Sequence, residues 1–271
     1  MNLCQIALKI LKENGRTFYI PIARLPSNLQ EATACAYLCM RAIDEVEDHP
    51  NLDNLSKARL LKAISLKLQS TTRETAVDDF SQLFDTYPQL PEVTIRIGEW
   101  AALGPESIAP RIWDATAAMA ERMAHWALTD WKIDTETDLD CYTFSVAGAV
   151  GLMLSDLWAW YDGTATNRSQ AIGFGRGLQA VNILRNVNDD LERGVNFFPN
   201  GWTKENMQMY ARRNLTLVDA YTKALPQGSV FDFCIIPLTL AHATLDVLTL
   251  GKPKLSRSAV MNIIERVTIG K

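Results

Sequence analysis

Two short segments of this 271-residue chain carry acidic and amide side chains at helical spacing. Asp44 and Asp48 lie four residues apart in the first segment. Asn182, Asn186 and Asp190 repeat with the same interval in the second. Side chains four residues apart lie on one face of an α-helix, so each set predicts a row of oxygen atoms. Such oxygens bind a hard cation such as Mg²⁺, which in turn binds phosphate groups, and the two segments together predict one site for a phosphorylated substrate.

Apolar residues continue each of these polar rows toward the N-terminus. Tyr37 and Met40 precede Asp44 in the first segment, and Leu178 precedes Asn182 in the second. Both rows are therefore expected to point to an interior, where carboxylates that face each other need a compensating cation. The spacing alone leaves open the alternative of two unrelated faces exposed to solvent.

The residues of both segments resemble the aspartate-rich motifs of the squalene/phytoene synthase family. The stretch from Tyr37 to Asp48 is similar to the family's first motif. The stretch from Asn182 to Arg193, followed by Phe197-Phe-Pro199, is similar to the second. Other segments agree in the family's order along nearly the whole chain: Arg16–Phe18, Tyr142–Gly151, Ile236–Leu245 and Lys254–Arg257. Several motifs in the same order are more specific than any one of them.

The resemblance implies a fold and an activity. The implied fold is an all-α, single-domain helical bundle of the isoprenoid-synthase type, residues 1–271, around a central apolar cavity. The sequence pattern agrees, because helical spacing recurs and no convincing alternating strand, repeat or long linker is present. The implied activity is a Mg²⁺-dependent, head-to-head condensation of two farnesyl diphosphates to presqualene diphosphate or squalene. A squalene product would also require NADPH, and no segment identifies a site for it.

The resemblance also implies the roles of individual residues. The magnesium ligands would be Asp44, Asp48, Asn182, Asn186 and Asp190. The substrate-binding residues would be Arg16, Thr17, Tyr37, Arg41, Gly148, Gln179 and Asn182. The catalytic residues would be Arg41, Asp44, Asp48 and Tyr142. Tyr142 would stabilise a carbocation through its ring face or pass a proton to pyrophosphate. An ordinary surface arginine remains the alternative for Arg16 and for Arg41, and a buried packing tyrosine remains the alternative for Tyr142.

The chain departs from the family's pattern at two positions in the second motif. Family members commonly have Asp where this chain has Asn186, and commonly a basic residue where it has Val195. A neutral amide binds Mg²⁺ less strongly than a carboxylate, so the second metal site should be weaker. Two alternative functions therefore remain: ionisation of a single prenyl diphosphate by a phosphatase-like or terpene-synthase-like relative, and a non-catalytic subunit that binds prenyl lipids.

Composition and charge narrow the function further. The formal net charge of −4 gives no electrostatic basis for binding nucleic acid. Five scattered cysteines indicate neither a disulfide framework nor a zinc site. The N-terminus does not resemble a secretory signal, and no run reaches the roughly eighteen apolar residues of a membrane span. We therefore expect a cytoplasmic protein with no transmembrane segment, which contacts a membrane peripherally if its substrates are lipids.

Helical periodicity predicts the elements that would position these residues. The predicted helices cover about 3–13, 27–48, 54–68, 76–86, 91–102, 110–130, 138–160, 170–194, 203–212, 214–224, 230–250 and 256–267. Ser27 is the predicted cap of the helix that carries Asp44 and Asp48. Small residues at Ala147, Gly148 and Gly151 allow close approach either of another helix or of an isoprenoid chain.

Overall fold

The computed structural model describes residues 2–15, 17–252 and 254–269. The regular structure of these residues is helical and contains no strand, which confirms the all-α prediction. The chain forms two compact units, Met1–Asp130 and Trp131–Lys271, and most contacts between residues lie within one unit or the other. A single domain over residues 1–271 and a central apolar cavity stay predictions.

The first unit is arranged around the helix that carries Asp44. Its helices are α1 (Leu3–Asn14), α2 (Tyr19–Ala23), α3 (Ser27–Glu47), α4 (Asn54–Ser70), α5 (Ala76–Phe80), α6 (Glu92–Ile95), α7 (Ile97–Leu103) and α8 (Ala109–Leu128). Helix α3 packs against every other helix of the unit except α5. Leu38, Ile43 and Val46 of α3 are fully buried, so apolar packing fixes the helix on which the acidic side chains are mounted.

The second unit is arranged around the helix that carries Asn182, Asn186 and Asp190. Its elements are α9 (Glu136–Thr143), a π-turn (Phe144–Gly148), α10 (Ala149–Asp162), α11 (Arg168–Glu192), α12 (Lys204–Ala224), α13 (Ser229–Thr249) and α14 (Arg257–Ile269). Helix α11 contacts α9, the π-turn, α10, α12 and α13. Both acidic motifs therefore lie on the central helix of their own unit.

Several predicted helix limits were wrong. Helix α3 begins at Ser27 itself, with Pro26 at the cap position and no side-chain hydrogen bond to the first turn. The predicted helices 203–212 and 214–224 are one helix, Lys204–Ala224, in which Asn214 is buried and its side-chain amide donates to the Tyr210 carbonyl (3.0 Å). Helix α13 begins at Ser229 and contains Pro237 in its interior.

The predicted helices 91–102 and 138–160 are each interrupted. Arg96 separates α6 from α7, and its guanidinium pairs with Glu92 (2.6 Å) and Glu99 (2.7 Å). The π-turn separates α9 from α10 immediately after Tyr142 and Thr143. Such wide turns inside helices occur frequently at functional sites.

The small residues of the 147–151 stretch allow another helix to come close. A Cβ atom on Gly151 would lie 2.0 Å from the carbonyl oxygen of Ala171 in α11, and one on Gly148 would lie 3.2 Å from Ile172 Cγ2. From the other side, a Cβ atom on Gly175 would lie 1.9 Å from the carbonyl oxygen of Ala147. Helix packing therefore accounts for these glycines, and the substrate-binding role of Gly148 stays a prediction.

Two helical stretches of the second unit are long and apolar enough to cross a membrane. They are Glu136–Asp162, with a mean hydropathy of 1.2, and Ser229–Thr249, with 1.5. About half of each apolar window is buried inside the protein, 50% and 56% respectively. Buried core helices of soluble proteins meet the same criterion, so the absence of a membrane span stays a prediction.

Candidate active site

The first acidic row lies at the C-terminal end of α3. The side chain of Asp44 is 33% exposed, Asp48 is exposed directly after the last helical residue, and Glu47 between them is buried. The C-terminal end of a helix carries partial negative charge, and the last turn of α3 holds no basic residue to compensate it. The arrangement therefore concentrates negative charge where a cation would be favoured.

The surroundings of Asp44 disfavour its ionised form. Loss of hydration raises the pKa of Asp44 well above its ordinary value, and the nearby carboxylates of Asp48, Glu47 and Glu45 raise it further. The guanidinium of Arg41 has the opposite effect on this pKa. A bound divalent cation would relieve the same repulsion, so the donor chemistry of this row fits Mg²⁺.

Arg41 is held by carboxylates of its own helix. Its Nη2 donates to Glu45 Oε1 in a short hydrogen bond, and its Nη1 lies 3.9 Å from Asp44 Oδ2. The side chain is 24% exposed, so it differs from a freely solvated surface arginine. A role in binding diphosphate stays a prediction.

The other predicted substrate residues of the first unit lie near the beginning of the chain and on α3. Tyr37 lies two turns before Asp44, and its ring centroid is 5.9 Å from that of Phe18. Thr17 is partly buried next to Phe18. Arg16 lies outside the described residues.

The second row lies along α11 and is held by hydrogen bonds within the helix. Asn182 and Asn186 are partly buried, and Asp190 is buried. The guanidinium of Arg185 donates from Nη2 to Asn182 Oδ1 in a short hydrogen bond and from Nε to Asn186 Oδ1 at 3.2 Å. The Asn186 amide also donates to Asn182 Oδ1 at 3.3 Å. One guanidinium therefore occupies the oxygens of both amides.

Arg193 holds the last member of the row. Its Nη2 donates to Asp190 Oδ1 at 2.7 Å. Arg185 and Arg193 differ in helical phase from Asn182 and Asp190, yet each contacts a member of the row. Residues three apart on a helix are neighbours, so each arginine reaches the oxygen one turn before it.

The two rows differ as candidate metal ligands. The row on α3 offers carboxylates in excess, whereas the row on α11 offers two neutral amides and one carboxylate, all in contact with arginine. In the part of the chain that the structure describes, no group of three or more His, Cys, Asp and Glu side chains is placed to hold a metal ion. Because it contains more carboxylates, the donor set on α3 fits Mg²⁺ better than the donor set on α11.

Tyr142 is buried and stacked on another aromatic ring. It is 3% exposed, and its ring lies nearly parallel to that of Phe197, with 4.5 Å between centroids and an angle of 19°. Phe197 belongs to the loop after α11, so this stack connects the segment around Tyr142 to the end of the second motif. The sequence marked the Phe197-Phe-Pro199 segment as a family feature but assigned it no role.

The structure brings some of the predicted residues together within each unit. In the first unit Asp44 and Arg41 are neighbours. In the second, Asn182 and Asn186 are hydrogen-bonded, and Gln179 lies one turn before Asn182 on α11. One site shared by the rows on α3 and α11 stays a prediction.

The chain is similar to known proteins over most of its length. A family model described as squalene/phytoene synthase matches residues 11–213. Squalene synthase BSS of Botryococcus braunii is 28% identical over 278 residues, which cover 88% of this chain and 57% of the relative. The squalene synthase of Homo sapiens is 28% identical over 268 residues, which cover 88% of this chain and 61% of the relative. This chain therefore spans about 60% of the length of these curated relatives.

Solved structures share the fold. A complex of TcSQS with the ligand E5700 superposes with a TM-score of 0.77 at 23% identity, covering 98% of this chain and 86% of that chain. A dehydrosqualene synthase in complex with a ligand gives a TM-score of 0.68 at 19% identity, covering 99% of this chain and 96% of that chain. At these identities the likeness shows the fold alone.

Proposed function

The chain belongs to the squalene/phytoene synthase family, and on this premise we propose that it is a prenyltransferase that joins two prenyl diphosphates head to head. The family match over residues 11–213 carries this proposal. The rows of oxygen donors on α3 and α11 support it, because they lie on the motifs that carry the resemblance.

Farnesyl diphosphate is the proposed substrate, and presqualene diphosphate or squalene is the proposed product. Two observations support this choice. The stretch from Tyr37 to Asp44 and the Phe197-Phe-Pro199 ending look more like squalene synthases than phytoene synthases, and the curated relatives are named squalene synthases. Squalene is more reduced than presqualene diphosphate, so its formation would require NADPH as the reductant. Dependence on NADPH therefore separates the two products.

The first chemical step is the departure of pyrophosphate from one substrate, which leaves an allylic carbocation. Asp44 and Asp48, with Asp190 and Asn182 in a weaker set, would hold Mg²⁺, which when bound neutralises charge on the departing pyrophosphate. Arg41 would add a cationic donor to the same group. The carboxylates serve this step in their ionised form.

Tyr142 would act on the carbocation. Its ring is fixed against Phe197, so one face is held in a constant orientation, and an aromatic face attracts a cation. Burial of Tyr142, Phe197 and Phe198 also keeps water away from this part of the second unit. Water exclusion matters because a prenyl carbocation that meets water becomes an alcohol before the second substrate can react.

We also propose a cytoplasmic location with peripheral contact to a membrane. A thirty-carbon hydrocarbon product is insoluble in water and must pass into a lipid phase, which favours contact of the enzyme with a membrane. Separation of cell extracts into soluble and membrane fractions tests this location. Recovery in the membrane fraction after a high-salt and carbonate wash would contradict it, because a peripheral protein is released by that wash.

Product analysis tests the proposed activity. Purified protein is incubated with farnesyl diphosphate and MgCl₂, with and without NADPH, and the extracted products are identified by mass spectrometry after phosphatase treatment of the polar fraction. We expect thirty-carbon products: presqualene alcohol without NADPH and, if the reductant is used, squalene with it. Farnesol in the organic extract before phosphatase treatment, or a cyclic fifteen-carbon product, would instead indicate ionisation of a single substrate. No product at all would favour a non-catalytic subunit that binds prenyl lipids.

A further inference from the structure

Three successive backbone carbonyls near the end of α9 each accept a hydrogen bond from a side chain. The pairs are Thr143 Oγ1 with the Leu139 carbonyl (2.7 Å), Arg176 Nη2 with the Asp140 carbonyl (3.1 Å) and Ser145 Oγ with the Cys141 carbonyl (2.7 Å). Tyr142 directly follows these three residues. Side-chain donors that compete for helix carbonyls bend or widen a helix, so these bonds act where α9 changes into the π-turn.

Tyr210 of α12 contacts the residues on both sides of Tyr142. Its hydroxyl donates to Asp140 Oδ1 at 2.8 Å and lies 3.0 Å from Thr143 Oγ1. The Tyr210 side chain is 2% exposed. A single phenol therefore connects α12 to the two residues that flank the Cys141-Tyr142 pair.

Other groups fix Tyr210 and Asp140 in place. The guanidinium of Arg213 lies over the Tyr210 ring at 5.2 Å, and the ring of Trp202 meets it edge-on at 6.0 Å. Arg176 of α11 also reaches Asp140, with its Nη1 3.6 Å from the same oxygen, Oδ1. Burial raises the pKa of the Tyr210 phenol above its ordinary value, so the hydroxyl stays protonated and able to donate.

We propose that Tyr210 is a positioning residue for Tyr142, acting through Asp140 and Thr143. This inference rests on the proposed function, because it assigns to Tyr210 the task of orienting the ring that meets the carbocation. A π-turn contains one more residue than an α-turn and is intrinsically less stable, so it persists where surrounding contacts favour it. Removing the Tyr210 hydroxyl leaves Asp140 and Thr143 without their common partner, and the Tyr142 ring then loses its fixed stack on Phe197.

Tyr221 provides a matched control on the same helix. It is also buried, and its hydroxyl lies 3.2 Å from Ser155 Oγ and accepts a hydrogen bond from Trp158 Nε1 at 3.1 Å. These contacts lie in α10, beyond the π-turn. Tyr210→Phe and Tyr221→Phe therefore each remove one buried phenolic hydroxyl, but only the first touches the residues beside Tyr142.

An NMR measurement tests the position of the ring without any turnover. The chain contains seven tyrosines, so a spectrum of protein with ¹³C-labelled tyrosine rings is simple, and loss of one signal in Tyr142→Phe assigns that residue. The stack on Phe197 should shift the Tyr142 signal by ring current. We expect Tyr210→Phe to move this signal toward the value of an unstacked ring and Tyr221→Phe to leave it unchanged. An unchanged Tyr142 signal in Tyr210→Phe, or equal changes in both variants, would overturn the inference.

Kinetics on farnesyl diphosphate test the consequence. We expect Tyr210→Phe to lower kcat on the order of 10-fold with KM within about twofold, since small displacements of an orienting group act mainly on the chemical step. Tyr221→Phe should keep kcat within about twofold of the wild type at a similar loss of thermal stability. In a Tyr142→Leu background Tyr210→Phe should have no further effect on kcat, because the ring that it orients is gone. If the double variant instead shows both losses of kcat in full, a positioning role is contradicted.

Asp140→Asn covers the case in which Tyr210→Phe does not fold. The Asp140 side chain is 36% exposed, and asparagine keeps the acceptor oxygen but not the charge that strengthens the bond. The change in the Tyr142 signal should have the same direction and be smaller, and no change would count against the proposal. The proposed function and the positioning role can fail separately. If the wild-type protein does not convert farnesyl diphosphate but the Tyr142 signal moves as expected in Tyr210→Phe, the proposed function is refuted and the positioning role stands.

Discussion

Asn186 is the residue at which the second motif departs from the family's pattern, and the structure shows what surrounds it. Its amide oxygen accepts from Arg185 and its amide nitrogen donates to Asn182. A carboxylate at this position would pair with the same guanidinium and add a negative charge to a row that has only Asp190. The neutral residue therefore leaves the positive charge of Arg185 less compensated.

Asn186→Asp should restore a stronger second metal site. We expect the Mg²⁺ concentration for half-maximal activity to fall several-fold, because a charged oxygen binds a hard cation more strongly than an amide oxygen. Asn188→Asp is the matched control, since it makes the same chemical change at an exposed position on another face of α11. Equal effects of the two substitutions on a Mg²⁺ titration would show that only the net charge matters.

The sequence predicted the polar rows on α3 and α11 but not all their neighbours. Spacing by four residues was sufficient to place Asn182, Asn186 and Asp190 on one face, since that periodicity belongs to the helix itself. The contacts of Arg185 and Arg193 were not predicted. An arginine side chain is long enough to reach an oxygen atom one helical turn earlier, even when the two residues do not lie on the same face. No motif indicated Tyr210, whose importance depends on packing between distant parts of the chain.

At the scale of elements, the close packing of α11 against the π-turn and α10 determines where the second motif lies. Backbone carbonyls of Ala147 and Ala171 occupy the space that side chains at Gly175 and Gly151 would need. A Cβ atom on Gly148 would lie 3.2 Å from two side-chain atoms, Ile172 Cγ2 and Phe144 Cδ2, which would have to shift slightly, and 3.5 Å from the Ile172 carbonyl oxygen, which is an ordinary contact. The three glycines therefore tolerate an added methyl group to different degrees.

Alanine substitutions separate these positions. Gly175→Ala and Gly151→Ala should each reduce the free energy of unfolding by about 2 kcal/mol or more, because backbone must move to admit the methyl group. Gly148→Ala should change it by less than about 1 kcal/mol, since side chains can shift and alanine favours the helix. Urea unfolding followed by circular dichroism measures all three. An equal loss of unfolding free energy in Gly148→Ala and Gly175→Ala would contradict the packing described above.

The long helices were predictable from sequence and the interruptions were not. Apolar periodicity over many residues defines α3, α8 and α11 to within a few residues of their observed ends. The π-turn and the break at Arg96 change the backbone without changing the apolar pattern, so periodicity cannot reveal them. The small residues at 147–151 indicated a close approach, but only the fold shows that α11 makes it.

At the scale of the whole molecule, the proposed function requires both motifs, although they belong to different compact units of the chain. The all-α fold and the family were predictable because several motifs recur in a fixed order. A joint site for Asp48 and Asp190 was predicted from chemistry alone, since opposing carboxylates and a diphosphate need a common cation. The activity of variants in each motif tests directly whether both motifs are required.

Release of pyrophosphate from farnesyl diphosphate, measured in single-turnover reactions with Asp48→Asn and with Asp190→Asn, tests this requirement most directly. Asp114→Asn on α8 is the control, because its side chain is 73% exposed and pairs only with Arg111 among the ion pairs described here. We expect each motif variant to release pyrophosphate at least about 100-fold more slowly than wild type, with an unchanged helical spectrum, and the control to match wild type. Release by either motif variant within about threefold of the wild-type rate would contradict a shared role of the two motifs.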